Sequence, residues 1–276
     1  FALLPERPVA AVERDTPWLI RRYALAVQPS FAMEADKRPM QVAASRFLGV
    51  GAPLPFPAAA NATPAPTLMA ANQYYRGGAA DGEALSHLPP LPGSADEVRG
   101  VASRYGAQGA TLMLGEAASE SALRALDLST YGVILFATHG LVSGQMEGVT
   151  EPALVLSPPA PGATGEDGLL TASEVAAMRI GADWVILSAC NTAAGDSAQA
   201  PAYSGLAQAF RYAGAGSLLV SHWPVRDDAS AFVTLETVKG AERGLPRAVA
   251  LQRAMLKLMR SNRPGAAQPY IWAPFI

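Results

Sequence analysis

The chain has 276 residues, half of them hydrophobic and 16% charged, with a net charge of -2. That length buries a sizeable core as one large domain or two small ones. The near-balanced charge excludes the basic face that nucleic acid needs, and no run of about 18 apolar residues is present to span a membrane.

One cysteine excludes an internal disulfide and is compatible with either redox compartment. The three histidines (His87, His139, His222) have no ligand spacing to it, so no structural zinc site is expected. The chain begins with Phe1 rather than Met, and the expectation is a piece excised from a longer protein. Arg greatly outnumbers Lys (Lys37, Lys239, Lys257) and Ala is abundant, which points to a GC-rich bacterial source, with the cytoplasm favoured.

In chain order, the first strand candidate is Arg22 to Val27, and the second is Arg46 to Val50. From Gly51 to Gly93 the chain is rich in Pro, Ala and Gly with little periodicity, which predicts a long surface loop inside a single domain spanning 1–276. Ser94-Ala95-Asp96-Glu97 reads as a capping box, with Val98, Val101 and Tyr105 on one helical face. A short strand at 111–114 and a helix at 119–128 follow. The run Val133 to Thr138 is a strand that leads into His139-Gly140.

An irregular stretch, an apolar run at 153–156 and a second loop at 158–168 come next. Thr171-Ala172-Ser173-Glu174 is another capping box. Trp184 to Ala189 is a strand that leads into Cys190-Asn191-Thr192. A helix carries Leu206, Phe210 and Ala213 and stops at Gly214, and Ser217 to Ser221 is a further strand. Two helices follow, the last with Leu245, Val249, Leu256 and Met259 in one stripe, and Ile271 to Ile276 is a final strand candidate.

Strands alternating with helices of this length predict βαβ units and a mainly parallel α/β sheet. The runs at 133–138, 184–189 and 217–221 show no polar alternation, as expected of strands covered on both faces. Ligands of such sheets sit beyond the carboxyl ends of the strands, the edge where His139 and Cys190 fall. Neighbouring strands are about 4.8 Å apart, so an imidazole and a thiol just past two of them can meet. The imidazole would take the thiol proton and the thiolate would attack a peptide carbonyl. The N–H groups of Gly140 and Cys190 could hold the oxyanion. Cys190 also fits a buried small hydrophobe, since Cys is among the most buried residue types. Its place one step beyond the apolar run, and its position 51 residues after His139, favour the catalytic reading.

Several stretches carry a family resemblance: Tyr23 to Ser30, Leu91 to Glu97, Phe136-Ala137-Thr138-His139-Gly140, Asp167 to Glu174, Leu187 to Ala193 with Gly195, Gly205-Leu206-Ala207, Trp223-Pro224-Val225 with Asp228, and Trp272-Ala273-Pro274-Phe275. Together they resemble the CHAT domain, a bacterial caspase- and separase-like module often fused to TPR repeats, over nearly the whole chain. The resemblance implies a caspase-hemoglobinase-like three-layer sandwich, with helices on both faces of the sheet. It also implies a cysteine endopeptidase whose catalytic positions are His139 and Cys190. His222, where the family usually has an aliphatic residue, and Gln268, where a His often stands, depart from the pattern.

Asp227 and Asp228, after the Trp223-Pro224 turn, either wall a pocket for a basic P1 side chain or supply charge at a helix N-terminus. Trp223 is a candidate pocket wall or a buried anchor. Glu174 belongs to its capping box, His87 is expected in solvent, and Asp183 lies at the wrong end of its strand to orient His139. A backbone carbonyl could do so, but no third catalytic residue is evident. No phosphate-binding glycine loop is present. The expected partner is a protein or peptide substrate, presented by another protein or a fused TPR-type repeat, and no metal or cofactor is needed. A catalytically silent module for protein–protein interaction is the alternative.

Overall fold

Two of the three apolar runs without polar alternation, 133–138 and 184–189, become neighbouring inner strands of a sheet in the computed structural model, which describes residues 16–27, 46–56, 85–144, 149–161, 163–189 and 205–276, and the third, 217–221, supplies the edge. The strands are β1 (Arg46–Gly51), β2 (Ala110–Leu114), β3 (Tyr131–Ala137), β4 (Gly140–Leu141), β5 (Ala153–Val155), β6 (Leu169–Thr171), β7 (Trp184–Leu187) and β8 (Leu218–Leu219). The main helices are α1 (Ser94–Ala102), α2 (Glu120–Arg124), α3 (Ala172–Ala177), α4 (Gly205–Tyr212), α5 (Asp227–Glu242), α6 (Arg247–Arg260) and α7 (Pro269–Trp272). Five strands form one sheet in the order β2-β1-β3-β7-β8, every pair parallel.

Period-2 geometry divides the strand residues between two cores. Val133, Leu135 and Ala137 of β3, with Trp184 and Ile186 of β7, face α1, α5 and α6 through Val98, Val233, Met255 and Leu258. Ile134, Phe136, Val185 and Leu187 face the other way, onto Val175 of α3 and Leu206 and Phe210 of α4. Phe136 and Phe210 meet at a ring-centroid distance of 5.5 Å. Each such fully buried side chain contributes about 1.5–3 kcal/mol relative to exposure. The three-layer sandwich expected from the sequence is the one observed.

A second sheet, β4-β5-β6, is antiparallel and sits immediately after the end of β3. It covers a small core of Phe56, Leu85, Leu141, Val149, Ala153, Val155 and Leu169. Among the described residues no helix is long and apolar enough to cross a membrane.

Two predicted strands are not strands. Residues 19–21 form one 3-10 turn, and 23–27 form no strand with the described residues, with Tyr23 50% and Val27 40% exposed. This segment is anchored instead by Trp18 and Ile20, the former 5.9 Å from Trp272. The chain end begins as α7 because Pro269, with its fixed φ, occupies the first helical position. Only then does it extend, and Val220 and Ile276 exchange N–H···O bonds of 3.0 Å while Ser221 bridges Phe275. Of the predicted 51–93 loop, residues 57–84 lie outside the described residues.

Candidate active site

A cleft opens at the carboxyl ends of β3 and β7. Its walls are Ala137, Thr138 and His139 from β3 and beyond, and Ser188 and Ala189 after β7. Leu91, Ser94 and Glu97, at and before the start of α1, and Val225, Asp227 and Ser230, at the start of α5, complete the lining. Its cavity volume is about 30 Å³.

β3 and β7 are direct neighbours, paired from Val133↔Trp184 to Phe136↔Leu187. Ser188 extends the pairing by donating its N–H to the Phe136 carbonyl at 2.8 Å. His139 is three residues beyond Phe136, and Cys190 is three residues beyond Leu187. Cys190 itself lies outside the described residues, as do Asn191 and Thr192. The last described residue before it, Ala189, is buried in the cleft wall, where its carbonyl accepts the Ser221 hydroxyl at 2.8 Å.

His139 is half-buried, and its Nε2 lies 2.8 Å from the Pro89 carbonyl oxygen. A carbonyl only accepts, so Nε2 carries the proton, and the neutral ring keeps Nδ1 as its acceptor. Burial holds the imidazole below its ordinary pKa, opposed by the Pro89 carbonyl and the Asp227 carboxylate, so the neutral base predominates at neutral pH. Pro89 is thus the backbone group that orients His139. Its position inside a run of prolines carried no sign of that role, because a carbonyl belongs to every residue and only folding aims one.

Gly140 begins β4 opposite Leu154. Val155 donates to the His139 carbonyl at 2.9 Å, so 139 and 155 form the hydrogen-bonded pair. Gly140 then sits in the non-hydrogen-bonded pair, and its N–H points out of the ladder.

The first predicted capping box is not one. Gly93 occupies the N-cap position without a side-chain cap, and Ser94 and Glu97 are both buried. The Ser94 hydroxyl accepts the Ala52 N–H at 2.8 Å and donates to the Ala137 carbonyl, tying α1 to the ends of β1 and β3. Glu97 Oε2 accepts the Ser188 hydroxyl at 3.0 Å, and Ser188 Oγ lies 2.7 Å from Ser230 Oγ. Glu97 Oε1 is buried without a hydrogen-bond partner. Burial pushes the Glu97 carboxyl up to about 7, with the Asp227 charge adding to it and the Ser188 and Thr234 hydroxyls opposing. Sequence reasoning missed Glu97 and Ser188, because the pattern around Glu97 had a complete local explanation.

Asp227 and Asp228 part company. Asp227 opens α5 and faces the cleft, where its Oδ2 accepts the Gly93 N–H at 2.7 Å. A Cβ on Gly93 would stand 2.6 Å from that oxygen, so the contact requires glycine. Asp228 instead makes a two-point ion pair with Arg226, at 2.9 and 2.8 Å, and is outside the cleft lining. Trp223 is also outside it: its Nε1 donates to the Tyr270 carbonyl at 3.0 Å and its ring packs on the α5/α6 core. His222 stacks beside Trp223, and His87 is exposed. Glu174 caps α3 with Thr171 and pairs with Arg124. Among the described residues, no cluster of three His, Cys, Asp or Glu side chains could hold a metal ion.

A CHAT domain family model matches residues 3–276. No curated protein matches the chain in sequence. Among solved structures the chain is similar to the Arg-specific cysteine proteinase gingipain R (RgpB), with TM-score 0.46 and 9% identity over 82% of this chain and 45% of that one. A complex of Porphyromonas gingivalis RgpB pro- and mature domains matches with the same score and identity, over 82% and 46%. The chain spans less than half the length of these solved chains.

Proposed function

Since the chain belongs to the CHAT domain family, we propose that it is a cysteine endopeptidase that cleaves a protein partner through Cys190 and His139. The observation that carries this reading is the His139 imidazole at the cleft, with Nε2 bound to the Pro89 carbonyl and β3 directly beside the strand that leads to Cys190. A ring held in that tautomer offers Nδ1 as the base.

The step follows from these groups. Nδ1 takes the thiol proton, and the thiolate adds to the carbonyl carbon of the scissile peptide. The N–H groups of Gly140 and Cys190 stabilise the oxyanion. The imidazolium then gives its proton to the departing amine, leaving a thioester on Cys190. Water, deprotonated by His139, adds to the thioester, releasing the carboxyl product and restoring the thiol. Asp227, on the cleft wall, favours a basic side chain N-terminal to the cut bond. A fused or associated TPR-type repeat would present the substrate.

The test compares newly formed N-termini in a proteome exposed to wild-type protein and to Cys190→Ala. Cleavages made by the first and absent with the second support the peptidase. Iodoacetamide labelling of Cys190 at neutral pH, no faster than a model thiol of pKa about 8.5, would instead favour a silent interaction module.

A further inference from the structure

The two edges of the five-stranded sheet end differently. Beyond β8 the chain closes its own edge: Val220 and Ile276 exchange N–H···O bonds of 3.0 Å, and Ser221 bridges Phe275 antiparallel. At the other edge β2 pairs with β1 on its inner side, and among the described residues no strand lies along its outer side. Edge strands are ordinarily protected by charge, proline, a bulge or a cover. The strand Ala110-Thr111-Leu112-Met113-Leu114 has no charge and no proline, and its register against β1 runs without a shift. Leu112, at its centre, is 41% exposed, although Met113 beside it is buried.

Alternation tells which backbone groups of β2 are unused. Gly115, directly after the strand, donates its N–H to the Ala52 carbonyl at 3.1 Å and so faces the β1 side. By the two-residue period Met113 and Thr111 also turn their N–H and C=O groups inward. Ala110, Leu112 and Leu114 turn theirs outward. The same three share one face of the sheet, where Ala110 and Leu114 pack at the margin of the α1, α5 and α6 core.

We propose that β2 is the docking edge for a second copy of this chain, whose own β2 lies antiparallel to it about a two-fold axis at Leu112. In that register Leu112 faces its own counterpart, and Ala110 faces the counterpart of Leu114. Each of these is a hydrogen-bonded pair that exchanges two N–H···O bonds. A slip of one residue would set outward groups against inward ones, and a slip of two would lose a pair. The opposed leucines lie on one face and bury each other.

A second copy suits this edge because the edge is its own complement. The two-fold matches every outward donor with an acceptor, and an uncharged strand sets no like charges against itself. The flanks agree. The antiparallel arrangement brings the turn Gly115–Ala117 of one copy beside the short helix Gly106–Gly109 of the other, and these segments are glycine and alanine apart from Gln108 and Glu116. The two Glu116 side chains fall at opposite ends of the strand pair. A single short strand pair is well below the roughly 1,600 Å² of a standard interface, so the dimer is a weak one with a Kd of about 10–100 µM. Its two-fold reverses the strand direction of the second copy. The joined sheet therefore carries its two clefts at opposite margins, each at the carboxyl ends of its own β3 and β7, and neither copy covers the other's cleft.

The test is sedimentation equilibrium of the full chain between about 1 µM and 1 mM, a range that brackets such a Kd. Wild type passes from monomer to dimer across it. Leu112→Lys and Leu112→Glu each set like charges directly opposite and weaken association at least tenfold. An equimolar mixture of the two associates at least tenfold more tightly than either alone, because Lys and Glu then meet, and this rescue requires both variants to be folded. Amide hydrogen exchange of the wild type needs no substitution: Leu112 and Leu114 slow at least fivefold from the lowest concentration to the highest, while Thr111 and Met113 do not change. A wild type that stays monomeric overturns the inference, and is the result if a strand of another protein or another segment of this chain covers β2. A dimer that both variants retain, a mixture that stays monomeric, or exchange at Leu112 and Leu114 that ignores concentration each overturns it as well. None of these results bears on the peptidase reading.

Discussion

Helix α1 opens with Ser94-Ala95-Asp96-Glu97, and α3 follows Thr171-Ala172-Ser173-Glu174, two copies of one capping pattern that the fold treats differently. At α3 the pattern does what it encodes: Thr171 accepts the Glu174 N–H, and the Glu174 carboxylate accepts the Thr171 N–H. At α1 both side chains turn inward, Ser94 to the end of β3 and Glu97 to Ser188 after β7. The α3 start borders solvent, where a local partner is the best available. The α1 start lies over the ends of the two central strands, where long-range partners compete and win. A motif satisfied elsewhere than in its own helix therefore marks a place where the molecule has another use for the side chains.

The largest expected effect lies at the α1 end. His139→Ala lowers the rate of substrate cleavage by about 10³-fold or more, while Thr171→Ala leaves it within about twofold, as measured with a substrate from the N-terminal screen. A comparable loss in both variants would break the contrast.

Next comes the pH dependence of stability. The folded chain holds the Glu97 proton up to about 7, above the ordinary 4.5. The fold is therefore favoured by this group below pH 4.5, and the benefit is lost as pH rises to 7, a difference of about 3 kcal/mol. Glu97→Gln consequently raises stability by up to about 3 kcal/mol at pH 8 and has little effect at pH 4, as read by urea unfolding. A Glu97→Gln protein less stable at pH 8 than the wild type would refute the buried, charge-averse carboxyl.

A smaller effect sharpens the geometry. Gly93→Ala drives a Cβ against Asp227 Oδ2 and costs about 1–3 kcal/mol by overpacking, while loosening the loop that brings Pro89 to His139. The pH profile of cleavage checks this, because an imidazole that loses its carbonyl partner changes its apparent pKa. Unchanged stability and an unchanged profile would mean that this loop does not hold the base. The smallest effect is that of Asp228→Ala. Its pair with Arg226 is exposed on both sides, and surface pairs are worth about 0–1 kcal/mol.

Much of the fold was legible because it depends on local pattern. Apolar runs without alternation marked β3 and β7 as covered on both faces, and both are. Gly214 ended its helix with φ 109, as a left-handed stop does. The failures were equally physical. Residues 22–27 have strand composition but form no strand with the described residues, and Pro269, just before 271–276, starts a helix before the chain can extend. At the cleft, His139 and Asp227 were visible as residue types placed after strands, whereas Asp228, adjacent in sequence, is held by Arg226.

By itself the sequence determined which segments must be buried and where the chain leaves the sheet. Those follow from hydrophobic periodicity and turn chemistry, which act over a few residues. Tertiary structure alone decided that Pro89 would hold the imidazole, that Glu97 would be drawn 91 positions along the chain to Ser188, and that Asp227 rather than Asp228 would face the cleft. Hydrogen bonds between distant segments depend on how layers pack, and no local pattern specifies which carbonyl or carboxylate the packing brings within 3 Å.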